Sequence, residues 1–175
     1  MVVPLTQEEQ HGDFASSFKS KARRSFPIAN NMPALTISDI MDVPYFAYGS
    51  NMNLGQMADR CPGARMVGLA RKPGWRFIIN GRGYVTAVDD PSAETLGCLW
   101  ELTEHHWEIL DRYEGVAGDY YRRVDCDLMG HDSEEQICSI AYRATDETTG
   151  VPSITYADTV IEGARQIGLP ETYLA

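Results

Sequence analysis

The sequence predicts a small α+β domain whose sheet closes into a barrel, with helices flanking it. Three observations point there. From Val43 onward the chain breaks into many short strand-like runs separated by Gly, Pro, Asn and Asp. Only three helical stretches interrupt them, each with a start or stop signal. The chain of 175 residues, 43% of them apolar, has material for one core and not two.

The elements follow in order. Tyr45-Phe-Ala-Tyr48 is a short aromatic strand that stops at Gly49-Ser50-Asn51, residues that permit a sharp turn with φ > 0. Leu54 to Arg60 reads as a short helix, with Asn51 or Asn53 as its cap. Arg65–Arg71 and Trp75–Asn80 read as two strands split by Lys72-Pro-Gly74, and Gly81-Arg-Gly83 turns the chain into Tyr84–Val88. Asp89-Asp-Pro-Ser92 is a turn before the strand Thr95–Leu102. Thr103 caps the helix Glu104–Tyr113. Strands at Tyr120–Met129 and Gln136–Ala144 follow, then a helix over Thr155–Ile167 that stops at Gly168 and Pro170. Residues 1–42 differ in kind: polar, then Ser-rich and basic, then broken by Pro27 and Pro33. A loosely attached extension is expected there. Phe14, Phe18 and Phe26 with Lys19 to Arg24 could form an amphipathic element, but Glu8, Glu9 and Asp13 argue against a mitochondrial presequence.

Charge and cysteine usage narrow the function. Net charge is −10, nearly all of it beyond residue 42, which argues against nucleic acid and anionic membranes as partners. No run reaches the length of a membrane-crossing helix, and the N-terminus lacks the apolar core of a secretory signal. Cys61, Cys98, Cys126 and Cys138 lie far apart and read as reduced, mostly buried thiols of a cytoplasmic protein. His11, His105, His106 and His131 show no metal-ligand spacing, so neither a metal nor another cofactor is expected.

The helix ending near Tyr113 carries the candidate chemistry. At about 100° per residue, Trp107, Leu110 and Tyr113 share one sector, opposite Glu104, Glu108, Asp111 and Arg112. Glu114, above Leu110, either projects into the apolar sector or, if the helix ends earlier with Gly115 at C′, swings out to solvent. The pattern leaves both open. An inward carboxylate would be partly desolvated, and the negative end of the helix dipole would add to that, making it a better base. The Gly49–Asn51 turn, between a strand and a helix start, could offer backbone N–H groups to a carboxylate, although such corners are common. Tyr121, Tyr142 and Tyr156, among nine tyrosines, each read by local context as half-buried core residues. Tyr156 begins a stripe with Val160, Gly163, Ala164 and Ile167.

Taken together these motifs resemble the γ-glutamylcyclotransferase family, in its Tyr-Gly-Ser-Asn, AIG2-like branch. The resemblance rests on Tyr45-Phe-Ala-Tyr-Gly-Ser-Asn51, on Asp111-x-x-Glu-Gly-Val116 with Tyr121 seven residues after Glu114, and on Pro152-Ser-x-x-Tyr156 followed by Gly168-Leu-Pro-x-x-Tyr173. It spans Tyr45 to Tyr173. It implies a small mixed barrel and an enzyme that cleaves a γ-glutamyl amide without water, the substrate's α-amino group attacking its own γ-carbonyl to give 5-oxoproline. By position, Glu114 matches the catalytic acid/base; Tyr45, Tyr48, Gly49, Ser50, Asn51 and Met52 match the loop holding the γ-glutamyl group; Tyr121, Tyr142 and Tyr156 match pocket tyrosines. The implied partner is a small γ-glutamyl substrate of glutathione-related metabolism, with a homodimer as assembly. No counterpart matches residues 1–42, and a C-terminal lid would be short or missing. Two alternatives stand beside this reading: removal of a γ-glutamyl group from a secondary-metabolite intermediate, and a non-catalytic binding module of the same fold.

Overall fold

A computed structural model describes residues 43–174. The expectations for residues 1–42 lie outside the described residues. Five strands form a closed barrel in the order β1 (Tyr45–Ala47), β3 (Val85–Glu101), β2 (Arg65–Ile79), β4 (Tyr121–Gly130) and β5 (Gln136–Ala144). β5 returns to β1 in parallel, through Tyr45↔Ile140 and Phe46↔Ala141, and the other pairs are antiparallel, so the barrel is mixed. The α+β expectation holds.

Two strand boundaries differ from the sequence reading. Arg65–Arg71 and Trp75–Asn80 belong to one strand, β2, and the two segments around Asp89–Ser92 belong to one strand, β3. Pro73 and Asp90 do mark the place, because the register jumps from Pro73↔Glu94 to Trp75↔Asp89. Proline has no N–H for the ladder, so it sits where pairing breaks. Gly74, the next residue in the strand, takes φ 80°. The predicted turn survives as a local excursion in which Asp90 Oδ1 accepts from Ser92 N and Oγ at 3.0 and 2.6 Å. Thr95 Oγ1 donates across the gap to the Trp75 carbonyl at 3.0 Å, which keeps the two arms of the hairpin together.

Phe46, Leu99, Leu110 and Leu128 fill the core. Each such side chain contributes roughly 1.5–3 kcal/mol by leaving water. α1 (Leu54–Arg60) is capped by Asn53, whose Oδ1 accepts from Gln56 N at 2.9 Å. α2 (Glu104–Glu114) begins with a reciprocal cap. His106 N donates to Thr103 Oγ1 and Thr103 N donates to His106 Nδ1, both at 3.3 Å. Nδ1 is therefore an acceptor, and the ring proton sits on Nε2, facing the Pro62 carbonyl at 3.1 Å. Histidine thus takes the place usually held by Glu or Gln in this motif.

On α2, Trp107 and Leu110 are buried as expected, but Tyr113 is not. It lies on the surface beneath the Arg60 guanidinium, 4.3 Å from the ring centre. α3 (Ile154–Gln166) packs Val160, Gly163 and Ala164 inward. A Cβ at Gly163 would lie 2.5 Å from Asn53 N and 2.8 Å from Met52 C, so α3 rests directly on the turn that follows β1. Cys61, Cys98 and Cys126 are buried free thiols and Cys138 an exposed one. Burial pushes the Cys98 and Cys126 thiols up to about 12, which leaves them poor nucleophiles.

Candidate active site

The turn after β1, the first residue of β3, the end of α2, the first residue of β4 and the start of α3 meet around one cavity. Tyr45, Tyr48, Gly49, Ser50, Asn51, Val85, Glu114, Tyr121, Tyr142 and Tyr156 line it. Eight of the polar or charged side chains and turn residues singled out in the sequence thus converge with Glu114 at their centre.

The turn does its work without positive φ. Gly49 has φ −124° and ψ −142°, so the positive φ that the sequence permits is not used there. Glycine instead allows a close approach, since a Cβ there would sit a tight 3.2 Å from Val85 Cβ and Cγ1 and in ordinary contact, 3.8 Å, with the Tyr156 hydroxyl. Ser50–Met52 then forms one 3-10 turn, in which Met52 N donates to the Gly49 carbonyl and Asn53 N to the Ser50 carbonyl, both at 3.0 Å. The N–H groups of Gly49, Ser50 and Asn51 make no hydrogen bond among the described residues. They remain as donors beside the cavity. Met52 is buried and does not line it.

Both sequence alternatives for Glu114 contain part of the answer. Gly115 does end the helix, in the left-handed region at φ 66° and ψ 38°, yet Glu114 turns inward. Its Oε1 accepts from Asn51 Nδ2 at 3.0 Å, and Oε2 has no partner among the described residues. Burial raises its pKa above the ordinary carboxylate value; the Arg60 charge and the Asn51 hydrogen bond pull it back, and Asp111 adds a further upward push.

Asn51 has a role that no sequence pattern disclosed. Its Nδ2 bridges Tyr45 Oη, at 2.9 Å, and Glu114. Its Oδ1 accepts from Arg60 Nη1 at 2.8 Å and Gln56 Nε2 at 3.1 Å. A guanidinium can only donate, so the amide oxygen must face Arg60 and the NH₂ must face the carboxylate. Trp100 Nε1 fixes the backbone below by donating to the Asn51 carbonyl at 3.1 Å.

The profile of the AIG2-like family matches residues 94–175. Gamma-glutamylcyclotransferases from Bos taurus and Homo sapiens are each 27% identical over 139 residues, covering 74% of this chain and 73% of theirs. A solved structure named gamma-glutamyl cyclotransferase aligns with a TM-score of 0.70 at 25% identity, covering 75% of this chain and 83% of that one. Residues 94–175 thus match the AIG2-like family, and the chain is similar in sequence and fold to γ-glutamylcyclotransferases.

Within the site the tyrosines divide into two groups. Tyr48, Tyr121 and Tyr142 spend their hydroxyl hydrogens on scaffolding. Tyr48 donates to the Tyr142 carbonyl at 2.6 Å, Tyr121 to the Val85 carbonyl at 2.7 Å, and Tyr142 to Asp111 Oδ1 at 2.6 Å. Asp111 is itself gripped at both oxygens by Arg123, at 2.8 and 2.7 Å. Tyr45 and Tyr156 are different, because each accepts a hydrogen bond and keeps its own hydrogen free among the described residues. Tyr156 accepts from Val85 N at 3.1 Å. Burial raises the Tyr45 and Tyr156 phenols, so both stay protonated and able to donate. Val85, Arg60 and Gln56 went unmarked in the sequence, since only the barrel register and the placement of α1 bring them here. Among the described residues no group of three or more His, Cys, Asp or Glu is placed to hold a metal ion.

Proposed function

We propose that the protein is a γ-glutamylcyclotransferase that releases 5-oxoproline from γ-glutamyl amino acids or peptides. The observation that carries this is a half-buried carboxylate, Glu114, with one oxygen pinned by Asn51 and the other without a partner among the described residues, beside a turn whose three N–H groups are likewise unused there. The Gly49, Ser50 and Asn51 amides bind the substrate α-carboxylate. Ring closure then moves two protons from the α-nitrogen, which enters as an ammonium and ends as a lactam N–H, to the leaving nitrogen, which departs as an ammonium. Glu114 Oε2 carries them in turn, base first and acid afterwards. The γ-carbon gains a bond to the α-nitrogen and loses its bond to the leaving nitrogen, and the oxyanion between these steps accepts from the spare hydroxyl of Tyr156. The nucleophile belongs to the substrate, so the site needs no Ser or Cys. Well-oriented intramolecular attack reaches effective molarities of about 10⁵–10⁸ M, so holding the substrate folded supplies much of the rate. The reading takes residues 43–175 as the catalytic domain, working in the cytoplasm as a homodimer.

The test is release of 5-oxoproline from a panel of γ-glutamyl amino acids, glutathione and γ-glutamyl-lysine. Release from any member supports the reading, and release from none contradicts it. Arg60→Met adds a sharper check. It removes both the group that fixes the Asn51 amide and the positive charge that pulls Glu114 down. The expected result is a loss of about tenfold in kcat/KM, matching one charge-assisted hydrogen bond, with the acidic limb of the pH profile moved to higher pH. An unmoved limb would show that Arg60 does not act through Glu114.

A further inference from the structure

A rim of exposed aromatic and apolar side chains with one cation adjoins the cavity at Tyr121 and Tyr156. The Tyr84 ring meets the Tyr156 ring edge to face, with centres 5.0 Å apart. Arg82 lies over Tyr120 at 4.5 Å and within 5.8 Å of the Tyr121 ring, and its Nη2 donates to the Tyr120 carbonyl at 2.9 Å. Tyr84 and Tyr120 are exposed, and across the loop Val151 and Ile154 are 86% and 82% exposed. Large apolar groups so bare, clustered beside the cavity that holds Glu114, mark a surface suited to an apolar occupant.

The rim is built to hold its shape. Asn80 is fully buried, and its Oδ1 accepts from the N–H groups of both Arg82, at 3.0 Å, and Tyr84, at 3.1 Å. Gly83, at φ 85°, brings the loop so close to residue 151 that a Cβ would sit 2.9 Å from the Val151 carbonyl oxygen. Charge supplies the second half of the argument. In a chain of net charge −10, Arg65, Arg71, Arg76, Arg123, Arg143 and Arg165 have carboxylate partners, whereas Arg82, like Arg60, Arg112 and Arg122, forms no ion pair among the described residues, and of these four Arg82 is the one stacked on the rim tyrosines. Asp146 senses its charge, but from beyond ion-pair distance. Only one guanidinium nitrogen is used, on Tyr120, which leaves donors for an incoming carboxylate.

Resting on the cyclotransferase reading, we propose that this rim is the subsite for the leaving amine and that it takes an amino acid with an apolar or aromatic side chain and a free carboxylate. The carboxylate pairs with Arg82, and the side chain lies on Tyr84, Tyr120, Val151 and Ile154. The preferred substrates are then γ-glutamyl dipeptides of the phenylalanine or leucine type.

The test compares γ-glutamyl-phenylalanine, its C-terminal amide and γ-glutamyl-alanine on the wild type, Arg82→Gln and Tyr84→Ser, with folding checked by Tm. The wild type is expected to cleave the phenylalanine acid about tenfold or more better, in kcat/KM, than either the amide or the alanine compound. In Arg82→Gln the acid-to-amide ratio falls about tenfold, and in Tyr84→Ser the phenylalanine-to-alanine ratio falls several-fold. Cleavage with ratios near one in the wild type, or ratios untouched by both substitutions, overturns the subsite while leaving the cyclotransferase reading intact. Release of 5-oxoproline from none of the three, nor from the wider panel, overturns both.

Discussion

In Glu114→Gln, 5-oxoproline release is expected to fall by about 10²–10⁴-fold, the usual worth of a positioned acid/base group, while the protein stays folded. The amide keeps an oxygen able to accept from Asn51 Nδ2, so the bridge to the Gly49 turn survives. What disappears is the group that can take and return a proton. The pH behaviour is part of the same expectation. Glu114 must be ionised to act as base, and burial raises its pKa, so wild-type kcat/KM should climb with pH along a limb above the ordinary carboxylate range. Stability should respond with a definite sign. A carboxyl whose folded pKa exceeds its unfolded one stabilises most at low pH, and that contribution is lost as pH rises through the folded value. Glutamine never ionises. The variant should therefore melt at or above the wild-type temperature at pH 7, and this relative gain should vanish below the unfolded Glu value of about 4.3. Thermal melts and rate profiles across that range check both halves. A fully active Glu114→Gln enzyme would remove the assignment of the base.

Gly163→Ala is expected to damage stability and activity together, although alanine favours a helix over glycine by about 1 kcal/mol. The added methyl would lie 2.5 Å from Asn53 N and 2.8 Å from Met52 C. These are backbone atoms and cannot swing aside, so either α3 lifts or the turn shifts. Overpacking of this kind costs about 1–3 kcal/mol, which corresponds to a Tm lower by about 2–4 °C for each kcal/mol in a chain of this size. Displacement of the Ser50–Met52 turn moves Asn51 relative to Glu114, and a misplacement near 1 Å can cost about 10²-fold in rate. The decisive measurement is kcat well below Tm, where unfolding contributes nothing. Wild-type stability and rate in this variant would mean that α3 does not hold the turn in place.

The two residues at the heart of these predictions were unequally legible in the sequence. Glu114 stood out as an acidic residue before a glycine that helical phase left either in the apolar sector or turned out to solvent, and the structure places it at the cavity. The part played by Asn51 was hidden, because its partners come from separate elements, Arg60 and Gln56 from the short helix α1 and Tyr45 from β1, and no periodic pattern joins them. Gly49 was marked for backbone freedom, whereas in the structure it eases a tight approach to Val85, a contact that only the barrel register creates. Local propensity also split β2 and β3 at Pro73 and Asp90, where the structure carries both strands through a break in register. Proline and an Asp-Pro-Ser sequence signal an interruption of hydrogen bonding, and they do not say whether the chain resumes in the same strand. Tyr113 was given an inward place by helical phase alone, but the sector narrows at the helix end, where Glu114 takes the inward position and Arg60 covers the tyrosine outside.

The central claim is that the substrate's own amine, and not water, attacks the γ-carbonyl. Mass analysis of the acidic product formed from a γ-glutamyl dipeptide in ¹⁸O-labelled water tests this most directly. The account predicts 5-oxoproline, equimolar with the released amino acid and carrying no ¹⁸O. Free glutamate bearing ¹⁸O in its γ-carboxylate would contradict it.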